Sequence, residues 1–473
     1  MRLRLTAFGA RHIDQCRGWK LGATAARQGS IKTPSRLRDR LTVDDPDCAP
    51  SVPAPGNSGG GNAPTDPDPP PPPPPEPPRP NVLLILTDDQ PAGHSMEVMP
   101  ETRAVFAQNG TEFSRAYGTT PLCCPGRASI YSGKYPHNHG VHTVGNHPSG
   151  GKAFDASDSW QRQLDDLGYF TGLLGKYFVA LPATQAPYFD RRVTIVPDSD
   201  DPVEMAEEAD KFLDEAETAD EVPWALVLST TQPHGPWDGE PAVPSPLPEW
   251  QPPPSFLEED LSDKHPAVAE DAARYIRFGP DFPEFVRTGQ LKEIQQVDEM
   301  VGKVMSTLDS LDEKEDTLAI FTSDNGYMWG QHSLYHKTWP YIDSIQIPLY
   351  LSWPGHIDSG AVDDRLVANI DIAPTIQDAL QIESEYPVDG RSLLSGFDRP
   401  SLLLEGPLDT SGRIPLWNAM LSDERHYVSW DDGFVEDYNL PADPYEMTAA
   451  NIPDPGAEAA IQAALECVGS SCP

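Results

Sequence analysis

An α/β fold, with a mainly parallel central sheet flanked by helices and a small antiparallel sheet subdomain at the C-terminal end, follows from three observations. Short apolar runs recur at Val82–Leu86, Trp224–Leu228, Leu318–Phe321 and Pro348–Leu351. Unbroken runs of that length mark strands buried on both faces. Helical periodicity lies between them. Met205, Ala209, Phe212, Leu213 and Ala216 fall on one face, and Leu291, Ile294, Val297, Val301, Val304, Leu308 and Leu311 form a longer stripe. Buried strands alternating with amphipathic helices predict a sheet covered on both sides. After about residue 400 the pattern changes. Arg413 to Asp437 carries short mixed runs with Trp417, Tyr427, Trp430 and Phe434, which suit a small antiparallel sheet.

The 473 residues suit one large α/β unit with an appendage, or two domains. Residues 1–80 read as disordered, basic at first and then proline-rich. Twelve of the 17 positions from Pro64 to Pro80 are proline, a stiff extended spacer. Residues 81–400 are then the main α/β domain and 401–473 a small C-terminal subdomain. The segment 236–288 is rich in proline and acidic residues with weak periodicity, and is expected to be a long excursion walling a cleft.

The net charge of -39 is uneven. Residues 1–40 hold ten Lys/Arg against two Asp/Glu, a balance of +8, which leaves -47 on the rest. So acidic a body repels polyphosphates, so nucleic acid is not an expected partner. No apolar run is long enough for a transmembrane segment. The apolar stretch Leu5–Ala10 is too short for an export signal and meets Arg11 and His12 at once. The basic head and proline spacer nevertheless suggest a secreted or cell-envelope protein. Of six cysteines, Cys467 and Cys472 could close a short tail loop, which favours an oxidising compartment. Cys123 and Cys124 are adjacent, and a bridge between them would be badly strained.

Ligands of parallel sheets bind beyond the carboxyl ends of the strands. The first apolar run leads into Thr87, Asp88, Asp89 and Gln90, the second into Ser229 through His234, and the third into Thr322, Ser323, Asp324, Asn325 and Gly326. An Asp-Asp or an Asp-Asn-Gly alone is ordinarily a turn or a cap. Their joint placement after neighbouring strands instead gives a set of hard oxygen donors from Asp88, Asp89, Asp324 and Asn325. Such a set suits Ca2+, and less well Mg2+, rather than zinc.

The most specific stretch is Leu122-Cys123-Cys124-Pro125-Gly126-Arg127, continuing through Gly133-Lys134 to His137-Asn138-His139-Gly140. A cysteine stands where a helix is expected to begin, and an arginine one turn later can point at the same spot. This stretch resembles the signature of the type I sulfatases, of the alkaline phosphatase superfamily, in which the first cysteine is oxidised to formylglycine. The continuation Lys134 to His139 looks most like the N-acetylglucosamine-6-sulfatase and heparan endosulfatase branch. Gly126 departs from the usual Ser or Ala. Other stretches resemble family elements in the same order: Asn81–Gln90, Gly172–Tyr177 with Lys176, Gln232–Trp237 with His234, Ser323–Gly326, Gly330–Lys337 with Lys337, and Asn439–Glu446. A second departure is Phe178, where many sulfatases have a histidine that regenerates the aldehyde. Either the chain follows a branch without that histidine, or His139, His142 or another residue serves, with His139 expected to fix a loop instead.

The resemblance implies a sulfuric ester hydrolase. Formylglycine at Cys123, beside a cation held by Asp88, Asp89, Asp324, Asn325 and the modified Cys123 itself, would attack the sulfur. Arg127, Lys176 and Lys337 would offset charge on the sulfuryl oxygens, and His234 or Lys337 would protonate the departing alcohol. The implied partners are a sulfated carbohydrate, such as N-acetylglucosamine 6-sulfate, or another sulfate ester, and a formylglycine-generating enzyme. The alternatives are a phosphodiester or phosphonate ester hydrolase of the same superfamily, and a non-catalytic carbohydrate-binding relative.

Overall fold

The computed structural model describes residues 79–193, 202–218, 222–237, 239–241, 246–279 and 281–473. The expectation for residues 1–80 lies outside them, except for Arg79 and Pro80. The apolar runs become strands of one eight-stranded sheet. In chain order these are β1 (Asn81–Thr87), β2 (Thr111–Phe113), β3 (Phe170–Gly175), β4 (Arg191–Val193), β5 (Trp224–Ser229), β6 (Thr317–Ser323), β7 (Leu349–Ser352) and β8 (Ala361–Asp363). In space they run β8-β2-β7-β6-β1-β5-β3-β4. Only β7 is antiparallel to its neighbours.

Every residue of β1 is buried, and alternate side chains enter different cores. Val82, Leu84 and Leu86 pack under α1 (Cys123–Ser132), α2 (Trp160–Asp166) and the later helix Ile372–Ala379. Leu83 and Ile85 pack with α3 (Pro202–Thr218) and the long helix Phe282–Ser310. The two stripes read from the sequence supply this second core: Met205, Ala209, Phe212 and Leu213 on α3, and Leu291 through Leu308 on the long helix. Burial of both faces is what a parallel sheet requires.

The segment 236–288 differs from the expected excursion. It contains α4 (Pro266–Ile276), and α5 (Phe282–Ser310) begins within it. Val268 and Ala272, one turn apart on α4, are buried in a third core with the C-terminal sheet. That sheet has four antiparallel strands, β9 (Leu402–Glu405), β10 (Trp417–Leu421), β11 (Arg425–Trp430) and β12 (Val435–Asn439), in sequential order. Cys467 and Cys472 are joined by a disulfide. Among the described residues, no helix is long and apolar enough to cross a membrane.

Register is what positions the site. Leu86 of β1 pairs with Ser229 of β5 and with Thr322 of β6, and Gly175 of β3 pairs with the same Ser229. Four adjacent parallel strands therefore end level. The residues that follow them, Asp88 and Asp89, Lys176, Thr230 and Asp324, leave the sheet at one edge.

Candidate active site

The strand ends bring the predicted oxygen donors together. The Asp89 backbone N–H donates to Asp324 Oδ1 at 3.2 Å, and Asn325 Nδ2 donates to Asp89 Oδ1 at 2.8 Å. Asp88, Asp324 and Asn325 are fully buried and Asp89 nearly so. Asp89 holds a left-handed backbone, φ +68, and such strained residues gather at functional sites. Lys176 reaches its strand end through Gly175, whose φ is +96 and where a Cβ would lie 2.0 Å from the Ser229 carbonyl oxygen, so only glycine fits. The Lys176 ammonium pairs with Asp88.

Cys123 opens α1, as the sequence predicts, and its side chain is buried. One ligand atom each from Asp88, Asp89 and Cys123 lie within 4.8 Å of one another, a group able to hold a metal ion. Lys337 Nζ donates to Cys123 Sγ at 3.0 Å and also pairs with Asp89. Burial pushes the Cys123 thiol up to about 12, against the opposing pull of Lys176 and Lys337.

Arg127 lies beneath the carboxylates rather than in open space. Its Nε donates to Asp324 Oδ2 at 2.7 Å and Nη2 to Asp88 Oδ2 at 3.3 Å. Nη1 donates to the Lys176 carbonyl at 3.0 Å and to Ser229 Oγ at 2.5 Å. One guanidinium thus ties four strand ends together. Burial would raise the Asp88 carboxyl, but Lys176 and Arg127 outweigh it and hold that group well below the usual carboxylate range. Gly126 has a physical reason: a Cβ there would lie 2.2 Å from the Asp324 carbonyl oxygen. In this chain α1 and the Asp324 loop approach too closely for a side chain.

Lys337 is held differently, just past a two-residue strand, Tyr335–His336, that pairs with Met328–Trp329 outside the central sheet. Four non-glycine residues around it, His332, Ser333, His336 and Thr338, have φ between +52 and +83. His332 is fully buried, and its Nδ1 meets Glu258 Oε2 at 2.6 Å. Lys264 approaches the same carboxylate at 3.5 Å. Gln331 Nε2 donates to Asp343 Oδ1 at 3.0 Å, and the Ile342 N–H donates to Glu446 Oε2 at 2.9 Å. Glu446, from the segment after β12, also pairs with His426.

His234 stands at the rim with its side chain 47% exposed. Its Nδ1–H donates to the Gly235 carbonyl at 2.8 Å, and Nε2 lies 3.9 Å from Asp89 Oδ2. Phe178 is buried among Phe154, Tyr131 and Tyr177, so its position sends no base into the site. His139 is buried. Its Nδ1 accepts from the Val141 N–H at 3.1 Å, and Nε2 meets Ser129 Oγ at 3.1 Å, a loop-fixing arrangement. His142 contributes backbone bonds to the same region.

Some residues at the site were not singled out from the sequence. Gln290 of α5 donates to the carbonyls of Asp89 at 3.3 Å and Pro233 at 3.2 Å, linking both loops. A polar residue one turn before Ile294, on the buried stripe, is the signal that could have found it. Ser323 Oγ accepts from the Gln90 N–H at 3.0 Å and donates to the Asn325 carbonyl at 2.9 Å.

The donor set fits a divalent cation. Asp88 Oδ1 and Asn325 Oδ1 are buried without a hydrogen-bond partner. Buried orphan oxygens are costly and call for one. Asp88, Asp89 and Asp324 are matched one for one by Arg127, Lys176 and Lys337. An added divalent cation would leave the lysines as surplus positive charge facing the cleft, which favours an anionic ester.

The sulfatase family model matches residues 80–382. A Sulf-1 homolog of Caenorhabditis elegans is 31% identical over 354 residues, covering 66% of this chain and 48% of that relative. The chain therefore spans about half the length of that relative. The N-acetylglucosamine-6-sulfatase of Homo sapiens is 30% identical over 457 residues, covering 78% of this chain and 80% of its own. A protein solved in complex with its substrate D-glucosamine-2-N,6-O-disulfate has the same fold. It matches with a TM-score of 0.64 at 18% identity, over 78% of this chain and 93% of that one.

Proposed function

This chain belongs to the sulfatase family, and we propose that it is a sulfuric ester hydrolase acting on a sulfated carbohydrate that carries N-acetylglucosamine 6-sulfate. The observation that carries this reading is the place of Cys123. It starts a helix within 4.8 Å of two buried carboxylates and 3.0 Å from a lysine ammonium. The choice of sugar rests on the human relative, whose name gives N-acetylglucosamine-6-sulfatase activity and which matches along 80% of its length.

Asp88, Asp89, Asp324 and Asn325 would hold the cation, with Ca2+ preferred for an all-oxygen set. When bound it would supply Lewis acidity toward nucleophile and ester. As the resemblance to the type I sulfatases implies, activity would require oxidation of Cys123 to formylglycine by a formylglycine-generating enzyme. Lys176 and Lys337 bind and orient the sulfate group. Arg127 fixes the carboxylates rather than the substrate. His234 Nε2, exposed at the rim, passes a proton to the departing alcohol oxygen. The Cys467–Cys472 disulfide and the extracellular relative favour action in the secreted or cell-envelope compartment.

Turnover of N-acetylglucosamine 6-sulfate and an aryl sulfate, beside an aryl phosphodiester and an aryl phosphonate ester, tests the proposal. We expect sulfate esters to be preferred and Cys123→Ala to lose roughly a thousandfold or more. Undiminished turnover by Cys123→Ala, or preference for a phosphorus ester, would refute it.

A further inference from the structure

A strip of aromatic rings leads away from the site and ends in solvent. His336, next to Lys337, is exposed, and its ring lies 5.8 Å from that of Tyr275. Tyr275 packs on Tyr335 at 4.8 Å, and Tyr335 on Phe282 at 4.9 Å. Phe282 stacks on Phe278 at 4.7 Å and on Phe285 at 6.5 Å. Phe285 then meets Trp237 at 6.0 Å, and the Trp237 indole N–H donates to the Pro233 carbonyl, beside His234. The strip therefore touches the rim at both His336 and His234.

Its outer rings are unusually open. Phe278 is 51% exposed and Phe285 58%, the only exposed phenylalanines among the described residues. Grouped exposed rings mark a binding surface more often than scattered ones. The charge is also distinctive. In a chain of net charge -39, Arg274, Arg277 and Arg413 act electrostatically on Tyr275, opposed by Asp271, which also pairs with Arg274. Arg277 lies over the Phe278 ring at 5.0 Å, and Arg277 and Arg413 are exposed. Flat apolar faces flanked by guanidinium groups complement a chain of sugar rings bearing anionic groups. A second copy of this chain would bring the same rings, but also its own net charge of -39, so it is the less favoured occupant.

Building on the proposed sulfatase activity, we infer that this strip is a subsite for the neighbouring residues of an anionic oligosaccharide whose sulfated unit occupies the Cys123 site. The enzyme then acts on chains in preference to free monosaccharides. Binding energy from the neighbouring residues, realised equally in ground and transition state, lowers KM for chains.

The test compares wild type with the double variant Phe278→Ala/Phe285→Ala and with Arg277→Ala. The probes are a heparin-derived tetrasaccharide and N-acetylglucosamine 6-sulfate. The double variant should raise KM for the tetrasaccharide about tenfold, leave its kcat unchanged and leave the monosaccharide kinetics untouched. Arg277→Ala should weaken the tetrasaccharide alone, most strongly at low salt. Equal losses on both probes, or none on either, would overturn the inference. So would a wild-type dimer in sedimentation that the double variant dissociates, because the strip would then be a contact between copies. If wild type turns over neither probe, the sulfatase reading fails. Calorimetry then decides the subsite separately: tighter tetrasaccharide binding by wild type than by the double variant upholds it, and equal binding rejects it.

Discussion

Asp88, Asp324 and Lys176 leave strands whose ladders fix them level, whereas Lys337 rides on a loop with several left-handed residues, pinned by side chains from two distant segments. The first wall is set by many repeated backbone bonds, and Arg127 locks it from below. The second depends on a few specific contacts, above all that of His332 with Glu258. The difference teaches where each wall is fragile. The strand-end wall should fail through its chemistry, with the fold intact. The loop wall should fail through its supports, with its chemical groups intact.

The largest effect belongs to the strand-end wall. Asp324→Ala removes a cation donor and one of the four partners of Arg127, so activity should fall roughly a thousandfold or more while the melting transition stays cooperative. Metal analysis should show less than one divalent ion per chain. Full metal occupancy in an inactive Asp324→Ala protein would contradict the donor assignment.

Glu258→Ala addresses the other wall without touching a reacting group. It leaves the buried His332 ring without its carboxylate partner, while Lys264 keeps Asp263 at 3.0 Å, which should cost about 1–3 kcal/mol. It should also lower kcat about tenfold or more by loosening Lys337, and Glu258→Gln should recover part of both. Unchanged kcat in a destabilised Glu258→Ala protein would mean that the loop is held by something else.

Gly126→Ala presses a methyl group on the Asp324 carbonyl from the α1 side. Overpacking of this kind costs about 1–3 kcal/mol, and cation affinity should weaken with it. Equal stability and metal affinity would show that the two segments separate freely.

The smallest effect is one of pH. Burial pushes the Asp343 carboxyl from its usual 3.8 up to about 6. The native group then keeps its proton where the unfolded one has lost it, so this group costs stability as pH rises from 3.8 through 6. Asp343→Asn cannot ionise and should keep the Gln331 contact. Its unfolding free energy should exceed that of wild type above about pH 6 by about 1 kcal/mol after solvent screening, seen as a higher melting temperature, and match it near pH 4. A pH-independent difference would assign the effect to packing.

The strand-end wall was largely legible in the sequence. The apolar runs Val82–Leu86 and Leu318–Phe321 give way through Thr87 and through Thr322 and Ser323 to Asp88 and Asp324, and the change from apolar to polar and acidic marks both strand end and donor. Cys123 and Arg127 were legible from their one-turn spacing, although the aim of Arg127 at the carboxylates needed the register of four strands. The loop wall was not legible to the same degree. Glu258 sits in an acidic, proline-rich stretch without periodicity and meets a histidine 74 positions away, which leaves no local pattern. Helix α4 was hidden in that same stretch, because Val268 and Ala272 are the buried apolar positions among its described residues, interspersed with Glu270 and Asp271. The Gly126 and Phe178 departures were visible in the sequence, but their reasons were not. One is a close backbone approach, the other a place in an aromatic core.

Mass spectrometry of the proteolytic peptide spanning Leu122–Arg127, taken from enzyme of measured specific activity, tests the central claim most directly. The account predicts an aldehyde in place of the Cys123 thiol, at an occupancy that rises and falls with activity across preparations. A fully active protein whose Cys123 is an intact thiol would contradict it.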